Sequence, residues 1–302
     1  MRRRNVVGGV LGAGVARSVG WAGAGLGLPA GHITALAQAQ SLPAPLMQTI
    51  RVSAASDLKF ALADVLNQFQ RDTGLPVLAT YGSSGQFARQ ITQGLPSDLF
   101  MSADEALVLQ LADRGLTQDT GALYALGRLA LIVPRAGPLT TLGDWAAVQV
   151  ALGHALAALP AQGAASQAGA GAASRPGYSL EKFAIANPEH APYGRAAKEA
   201  LAAMGLWRTV ETRLVLGENI AQATQFVTTG AAQAGLTAWS LAIAPEVAAS
   251  TRYALVPAHL HAPLRQRMVL LKNARPQAQQ LYTYLQTDAV RKGLQAGGFG
   301  AV

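Results

Sequence analysis

The chain contains no cysteine, which excludes a disulfide framework, a thiolate zinc site, an iron–sulfur cluster and a cysteine nucleophile. It leaves the redox compartment open, because an oxidising space does not require disulfides. Without cysteine, chemistry must come from oxygen, nitrogen or backbone groups, and charge is scarce as well, with 13% of residues being Asp, Glu, Lys or Arg. Aromatic residues make up 6% and are scattered, with Trp145, Trp207 and Trp239 not interleaved with basic residues; a stacking platform for nucleic acid has no support. Beyond the N-terminal region no stretch is long and apolar enough to span a bilayer. His154, His190, His259 and His261 show no metal-site spacing of the H-E-x-x-H kind, and the last two lie beside prolines in an expected surface loop. Ser84 has Gly82 two before it but Gln86 two after it, so the G-x-S-x-G elbow of a hydrolase is missing. Neither G-x-G-x-x-G nor a Walker A sequence opens the first helix.

What is present begins with a basic excess. Lys and Arg number 24 against 16 Asp and Glu, a formal charge of +8 with a pI near 10.1, which would suit a polyanion or an anionic membrane. Half of that excess sits in residues 1–39, which hold Arg2, Arg3, Arg4 and Arg17 and no Asp, Glu or Lys. The arginines, the Gly/Ala/Val/Leu-rich run over 6–28 and the A-x-A sites at 35–37 and 37–39 form the three regions of an export signal. Residues 1–39 are therefore read as a removed signal, and the protein as periplasmic or at the outer cell surface. Arg3-Arg4-Asn5-Val6-Val7 resembles a twin-arginine core, while three consecutive arginines also suit an ordinary secretory signal; both routes stay open. Loss of the four leader arginines takes the formal charge from +8 to +4.

From Thr49 onward the pattern alternates. Short β-type runs at 50–54, 77–81, 99–101 and 126–133 are separated by helical spacing at 57–72, 86–93 and 104–114. This predicts βαβ units on a largely parallel sheet. Residues 162–176 are almost only Ala, Gly, Ser and Gln, too poor in apolar surface to offset the entropy of ordering, and are read as a low-complexity surface insertion. The rhythm resumes with strands at 182–186, 213–216, 234–237 and 267–271 and helices at 194–204, 220–229, 276–285 and 288–296. Two α/β lobes are expected, lobe 1 from 48–128 and 259–302 and lobe 2 from 129–258, because a terminal strand and two helices are too little for a core of their own.

Four strand-to-helix turns are built from small or hydroxylated residues: Ala54-Ala55-Ser56-Asp57, Gly82-Ser83-Ser84-Gly85, Pro192-Tyr193-Gly194 and Gly217-Glu218-Asn219-Ile220. In open α/β sheets ligands collect at the carboxyl ends of strands. Several helix N-termini converging there, with free N–H groups and partial positive charge, make an anion site that contains no formal cation. Serine hydroxyls can add donors, and glycine allows close approach to the backbone. Each turn also has a plainer reading. Ser56, Ser84 and Asn219 are favoured helix caps whether or not anything binds, and the Gly82–Gly85 stretch reads equally as a tight turn. Asp57 and Glu218 count against an anion unless their carboxylates turn outward, and Lys59 and Arg195 read as solvated. The four turns together point to an oxyanion; no one of them is specific.

The blocks V-S-A-A-S-D-L at 52–58, Y-G-S-S-G-Q-F-A-R-Q-I at 81–91, D-L-F-M-S-A-D at 98–104 and A-N-P-E-H-A-P-Y-G at 186–194, with A-K-E-A-L at 197–201, resemble the periplasmic molybdate-binding proteins of molybdate ABC transporters. The resemblance runs from about residue 50 to 299, interrupted by the insertion. It implies a type II periplasmic-binding-protein fold, two mixed sheets flanked by helices with a ligand cleft between lobes that close like a hinged clamp. It implies ligand contacts from Ser56 and the backbone at Asp57, from Ser84 with Ser83 adjacent, from Tyr193, and from the Ile220 N–H next to Asn219. Molybdenum would be held as its oxyanion through Ser56, Ser84, Tyr193 and Ile220. Some members carry a tyrosine after the last strand of the second lobe; here Gly235-Leu236-Thr237-Ala238-Trp239 has none, and Tyr193 is the residue available to replace it.

The resemblance further implies a monomeric receptor for molybdate or tungstate, with an inner-membrane ABC permease as partner, no nucleic acid, no cofactor and no enzymatic activity. Physics agrees with the ligand class. Molybdate is an unprotonated dianion that a donor-only pocket satisfies, whereas hydrogen phosphate must also place a proton on an acceptor. Sulfate is equally unprotonated, so a receptor for another tetrahedral oxyanion is the nearest alternative. An exported α/β hydrolase using a serine near Ser84 and a nucleic-acid binder are the alternatives from other classes. Deletion of 162–176 is expected to leave affinity nearly intact.

Overall fold

The computed structural model describes residues 49–136, 142, 144–157 and 180–302. The expected export signal and the insertion at 162–176 lie outside the described residues. Among the described residues ten strands follow in chain order: β1 (Ile50–Ala55), β2 (Val77–Gly82), β3 (Leu99–Ser102), β4 (Ala122–Gly127), β5 (Leu129–Pro134), β6 (Phe183–Ala186), β7 (Leu214–Gly217), β8 (Ala234–Ala238), β9 (Thr251–Leu255) and β10 (Leu264–Leu270). The longer helices are α1 (Ala61–Thr73), α2 (Ser84–Thr92), α3 (Glu105–Asp113), α4 (Trp145–Ala157), α5 (Pro192–Ala203), α6 (Ile220–Thr228), α7 (Gln277–Tyr284) and α8 (Asp288–Ala296).

The strands form two sheets, β2-β1-β3-β10-β4 and β7-β6-β8-β5-β9. Both are mixed. β1 runs parallel to β2 and β3, while β10 is antiparallel to β3 and β4; β6 runs parallel to β7 and β8, while β5 is antiparallel to β8 and β9. The parallel strands come from the βαβ units visible in sequence, and the antiparallel ones from segments that cross between the sheets.

The largest departure from expectation is the run 126–133. It is two strands, split at Arg128, with β4 in the first sheet and β5 in the second. Alternation reports that a residue is extended but not which neighbour it pairs with, so an apolar run that leaves one sheet and enters another reads as one strand. The expected helix 57–72 likewise divides into a 3-10 turn, Ser56–Leu58, and α1. Helix α4 and strand β9 were not expected. α4 buries Val148, Leu152 and Leu156, but small apolar residues surround it and no polar face marks its period.

Each lobe has apolar layers on both sides of its sheet. In the first, Leu58, Leu62, Phe69, Met101 and Leu281 pack on one face and Phe87, Ile91, Phe100 and Val108 on the other. In the second, Leu131, Phe183, Ile185 and Leu201 cover one face and Ile132, Ala184 and Val227 the other. Each fully buried Leu or Phe contributes about 1.5–3 kcal/mol against leaving it in water. Helix α1 shows the local logic: Leu62, Leu66 and Phe69 are its buried stripe, and Gly74, at φ 70°, closes it in the left-handed conformation that suits glycine. Two links join the sheets, Arg128 between β4 and β5 and residues 256–263 between β9 and β10. Among the described residues no helix is long and apolar enough to cross a membrane.

Candidate anion-binding site

All four small-residue turns meet at one small cavity of about 10 Å³ between the lobes. From lobe 1, β1 ends at Ala55 and opens the Ser56–Leu58 turn, and β2 ends at Gly82 so that Ser83 precedes α2, which starts at Ser84. From lobe 2, Pro192 begins α5, where its missing N–H costs nothing, and Asn219 caps α6 ahead of Ile220. Ser56, Asp57, Ser83, Ser84, Tyr193 and Ile220 are each no more than 3% exposed. Among the described residues the cavity wall contains no Lys, Arg or His, and no cluster of three acidic, His or Cys side chains could hold a metal ion.

The hydroxyls at this wall play different parts. Ser84 Oγ accepts from the Ala103 N–H at 3.0 Å, and Ser56 Oγ accepts from the Ala221 N–H of the opposite lobe at 3.2 Å. With an amide on the oxygen, each serine keeps its own O–H as a donor. Ile220 opens α6, so its N–H has no acceptor within the helix. Ser83, in contrast, donates to the His190 carbonyl at 2.7 Å, with His190 Nδ1 at 3.1 Å. The Asn219 side chain serves its own helix, with Oδ1 accepting from the Gln222 N–H at 3.1 Å.

Tyr193 lines the cavity, yet its hydroxyl donates to Asp57 Oδ2 at 2.9 Å, and Gln266 Nε2 donates to the same carboxylate oxygen and, at 3.3 Å, to the tyrosine oxygen. This cluster sits against the end of β4, where a Cβ on Gly127 would lie 2.5 Å from Tyr193 Oη. Burial pushes the Asp57 carboxyl up from 3.8 to about 6, against the pull of its Gln266 and Tyr193 hydrogen bonds. Burial and the neighbouring Asp57 also push the Tyr193 phenol well above its ordinary value, so it stays protonated and can donate. Asp57 Oδ1 has no hydrogen-bond partner among the described residues.

Of the two acids placed at these turns, Asp57 turns inward and is 1% exposed, whereas Glu218 turns outward and accepts from Gln86 Nε2 at 2.5 Å. Lys59 is exposed and stands over the Phe60 ring at 5.6 Å. Arg195 is not simply solvated; it pairs with Asp104 across the lobes. Three contributors escaped the sequence reading: Gln266, which holds Asp57, the Ala103 N–H behind Ser84, and the His190 carbonyl. Gln266 carried one faint signal, an uncharged polar residue between Arg265 and Arg267 on the inward face of β10, where it is 0% exposed.

Known proteins share both sequence and shape with this chain. The family model for bacterial extracellular solute-binding proteins matches residues 50–300. The molybdate-binding protein ModA of Azotobacter vinelandii is 31% identical over 254 residues, 83% of this chain and 89% of the relative. ModA of Rhodobacter capsulatus is 33% identical over 239 residues, 79% and 81% of the two chains. The solved periplasmic molybdate-binding protein of Azotobacter vinelandii superposes with a TM-score of 0.68 at 25% identity, covering 84% of this chain and 99% of that one. On this footing the chain belongs to the bacterial extracellular solute-binding proteins and, among them, to the family of the molybdate-binding proteins ModA.

Proposed function

We propose that this protein captures molybdate outside the cytoplasm and delivers it to the membrane permease of an ABC transporter. It is a solute-binding protein and not an enzyme. The observation that carries the choice of ligand is the cavity wall: hydroxyl and amide donors at helix N-termini, with no formal cation. A tetrahedral dianion offers only acceptors, and such a wall meets it without the desolvation cost of burying a lysine or arginine. Ser56, Ser84 and the Ile220 N–H are the donors assigned to the ligand. Tyr193 closes the wall beside them, and Asp57, Ser83 and Asn219 hold the donor turns in place. Tungstate, of the same charge and shape, binds in the same way. The receptor works as a monomer exported through the Sec or twin-arginine route, and lobe 1 (48–128 and 259–302) and lobe 2 (129–258) move as its two bodies.

A thermal-shift panel of molybdate, tungstate, sulfate and phosphate tests the reading, because a ligand bound only by the folded state adds about 2.7 kcal/mol at a hundred times its Kd. Molybdate and tungstate are expected to raise the melting temperature and phosphate to leave it unchanged; a shift with sulfate alone would make this a sulfate receptor. Ser84→Ala and Ser56→Ala are each expected to weaken molybdate binding by about 1–3 kcal/mol, the loss of a hydrogen bond to a charged partner. Titration calorimetry giving wild-type affinity in both variants would remove these donors from the site.

A further inference from the structure

The candidate site is shut. With Ser84 1% exposed and Tyr193 2%, an anion reaches the cavity only if the two lobes part, so something must hold them together once it is inside. A direct backbone-to-backbone contact between them lies beside Ser84. We propose that the first turn of α2 and the His190 carbonyl form the latch that holds the cleft closed over the ligand. In this latch Gly85 is the positioning residue that sets how closely the lobes approach. The inference rests on the reading of the cleft as a molybdate receptor.

Two donors of lobe 1 converge on one oxygen of lobe 2. Ser83 Oγ reaches the His190 carbonyl at 2.7 Å and the Gly85 N–H reaches it at 3.0 Å, and a carbonyl has two lone pairs to receive them. The acceptor is fixed from behind: the Ala191 N–H bonds the Asn187 carbonyl at 2.9 Å, and the Glu189 N–H bonds Asn187 Oδ1 at 3.0 Å. Because Ser84 lies between the two donors, latch and ligand-facing hydroxyl belong to one helical turn.

Gly85 is not there for backbone reasons. It sits in the first turn of a regular helix with no positive φ, a position where alanine is the better helix former. A Cβ at this position would lie 2.3 Å from the His190 oxygen, 3.1 Å from its carbonyl carbon and 3.2 Å from its Cα. These are backbone atoms, which cannot rotate out of the way as a side chain does. Among the other contacts across the cleft, Arg195 with Asp104 and Gln86 with Glu218 are made by flexible side chains, and those of Ser56 with the Ala221 N–H, of Tyr193 with Asp57 and Gln266, and of Ser240 with the Asp57 carbonyl each pass through a side chain, whereas Gly85 meets His190 backbone to backbone. A methyl group at Gly85 therefore leaves lobe 1 intact and keeps the lobes apart.

The test compares the full mature chain with G85A and S83A, measuring the ligand-free melting temperature, molybdate affinity and dissociation rate, and the radius of gyration by small-angle scattering with and without molybdate. In G85A the ligand-free melting temperature is expected to equal or exceed that of wild type, affinity to fall by about tenfold or more, and the radius at saturating molybdate to stay above that of loaded wild type. S83A, which removes one donor without adding bulk, is expected to compact normally but release molybdate about threefold to tenfold faster. A G85A protein that binds and compacts like wild type overturns the proposal, as does a ligand-free G85A that melts lower, since the glycine would then serve the fold. An unchanged dissociation rate in S83A overturns the latch. Wild type that fails to bind molybdate overturns the receptor reading itself, a result distinct from normal wild-type binding with unaffected variants.

Discussion

Asp98→Ala is expected to lower the stability of the protein by about 3 kcal/mol, the lower end of the cost of breaking a buried ion pair. The side chain is 4% exposed on lobe 1, away from the cleft, and knots three segments. Its Oδ2 accepts from the Arg51 N–H of β1 at 2.7 Å and from Arg275 Nη2 at 2.6 Å, while Oδ1 accepts from the Arg275 backbone N–H and Nε, both at 3.0 Å. Alanine would leave two backbone donors and a guanidinium without an acceptor, which costs more than the net worth of the bonds themselves. Arg275 keeps 25% of its side chain in water, which is why the low end of the range applies. For a chain of this size the loss corresponds to about 6–12 °C in melting temperature. Asp98→Asn, which keeps the shape and part of the acceptor capacity, should fall between the two. Differential scanning calorimetry on ligand-free protein measures both, and an Asp98→Ala midpoint within a degree or two of wild type would show that the knot contributes nothing.

The same residue marks the boundary of what the sequence could say. D-L-F-M-S-A-D stood out only as part of a family resemblance, because the partners of Asp98 are 47 and 177 positions away and nothing local betrays them. The helix starts were legible for the opposite reason. Capping and the preference for Ser, Asn and Pro at first turns are satisfied within a few residues, so the turns at Ser84, Pro192 and Ile220 could be placed from local chemistry alone. That Ser56 and Ser84 would present hydroxyls while Asn219 would serve its own helix could not be. The difference is made by the Ala103 and Ala221 amides, which tertiary structure brings to the two serines. Sheet membership was lost wherever an apolar run changed partner, as at Arg128. The Asp57, Tyr193 and Gln266 cluster joins residues up to 209 positions apart, beyond the reach of any periodicity.

That cluster leads to the second large effect. Asp57 is buried with a carboxyl pKa of about 6 against 3.8 in the open chain, so between about pH 4 and pH 6 the folded protein holds a proton that the unfolded chain has shed. Stability then falls as pH rises through this window, since the unfolded state binds fewer protons than the folded one. The contribution is complete below the unfolded value and gone above the folded one. A shift of about two units corresponds to about 3 kcal/mol. Other carboxylates run the opposite way. Glu105, which burial would raise, is pulled below its ordinary value by Arg265 and Arg267, so the raw curve of wild type mixes both signs. The comparison that isolates Asp57 is with Asp57→Asn. The amide has the same shape and no charge to bury, and the Gln266 amide can flip to face it. Urea unfolding at steps from pH 4 to pH 7.5 is expected to show the variant gaining on wild type by up to about 3 kcal/mol as pH rises, with most of the gain between pH 4 and 6. A difference between the two proteins that does not change with pH would mean that water reaches the carboxylate.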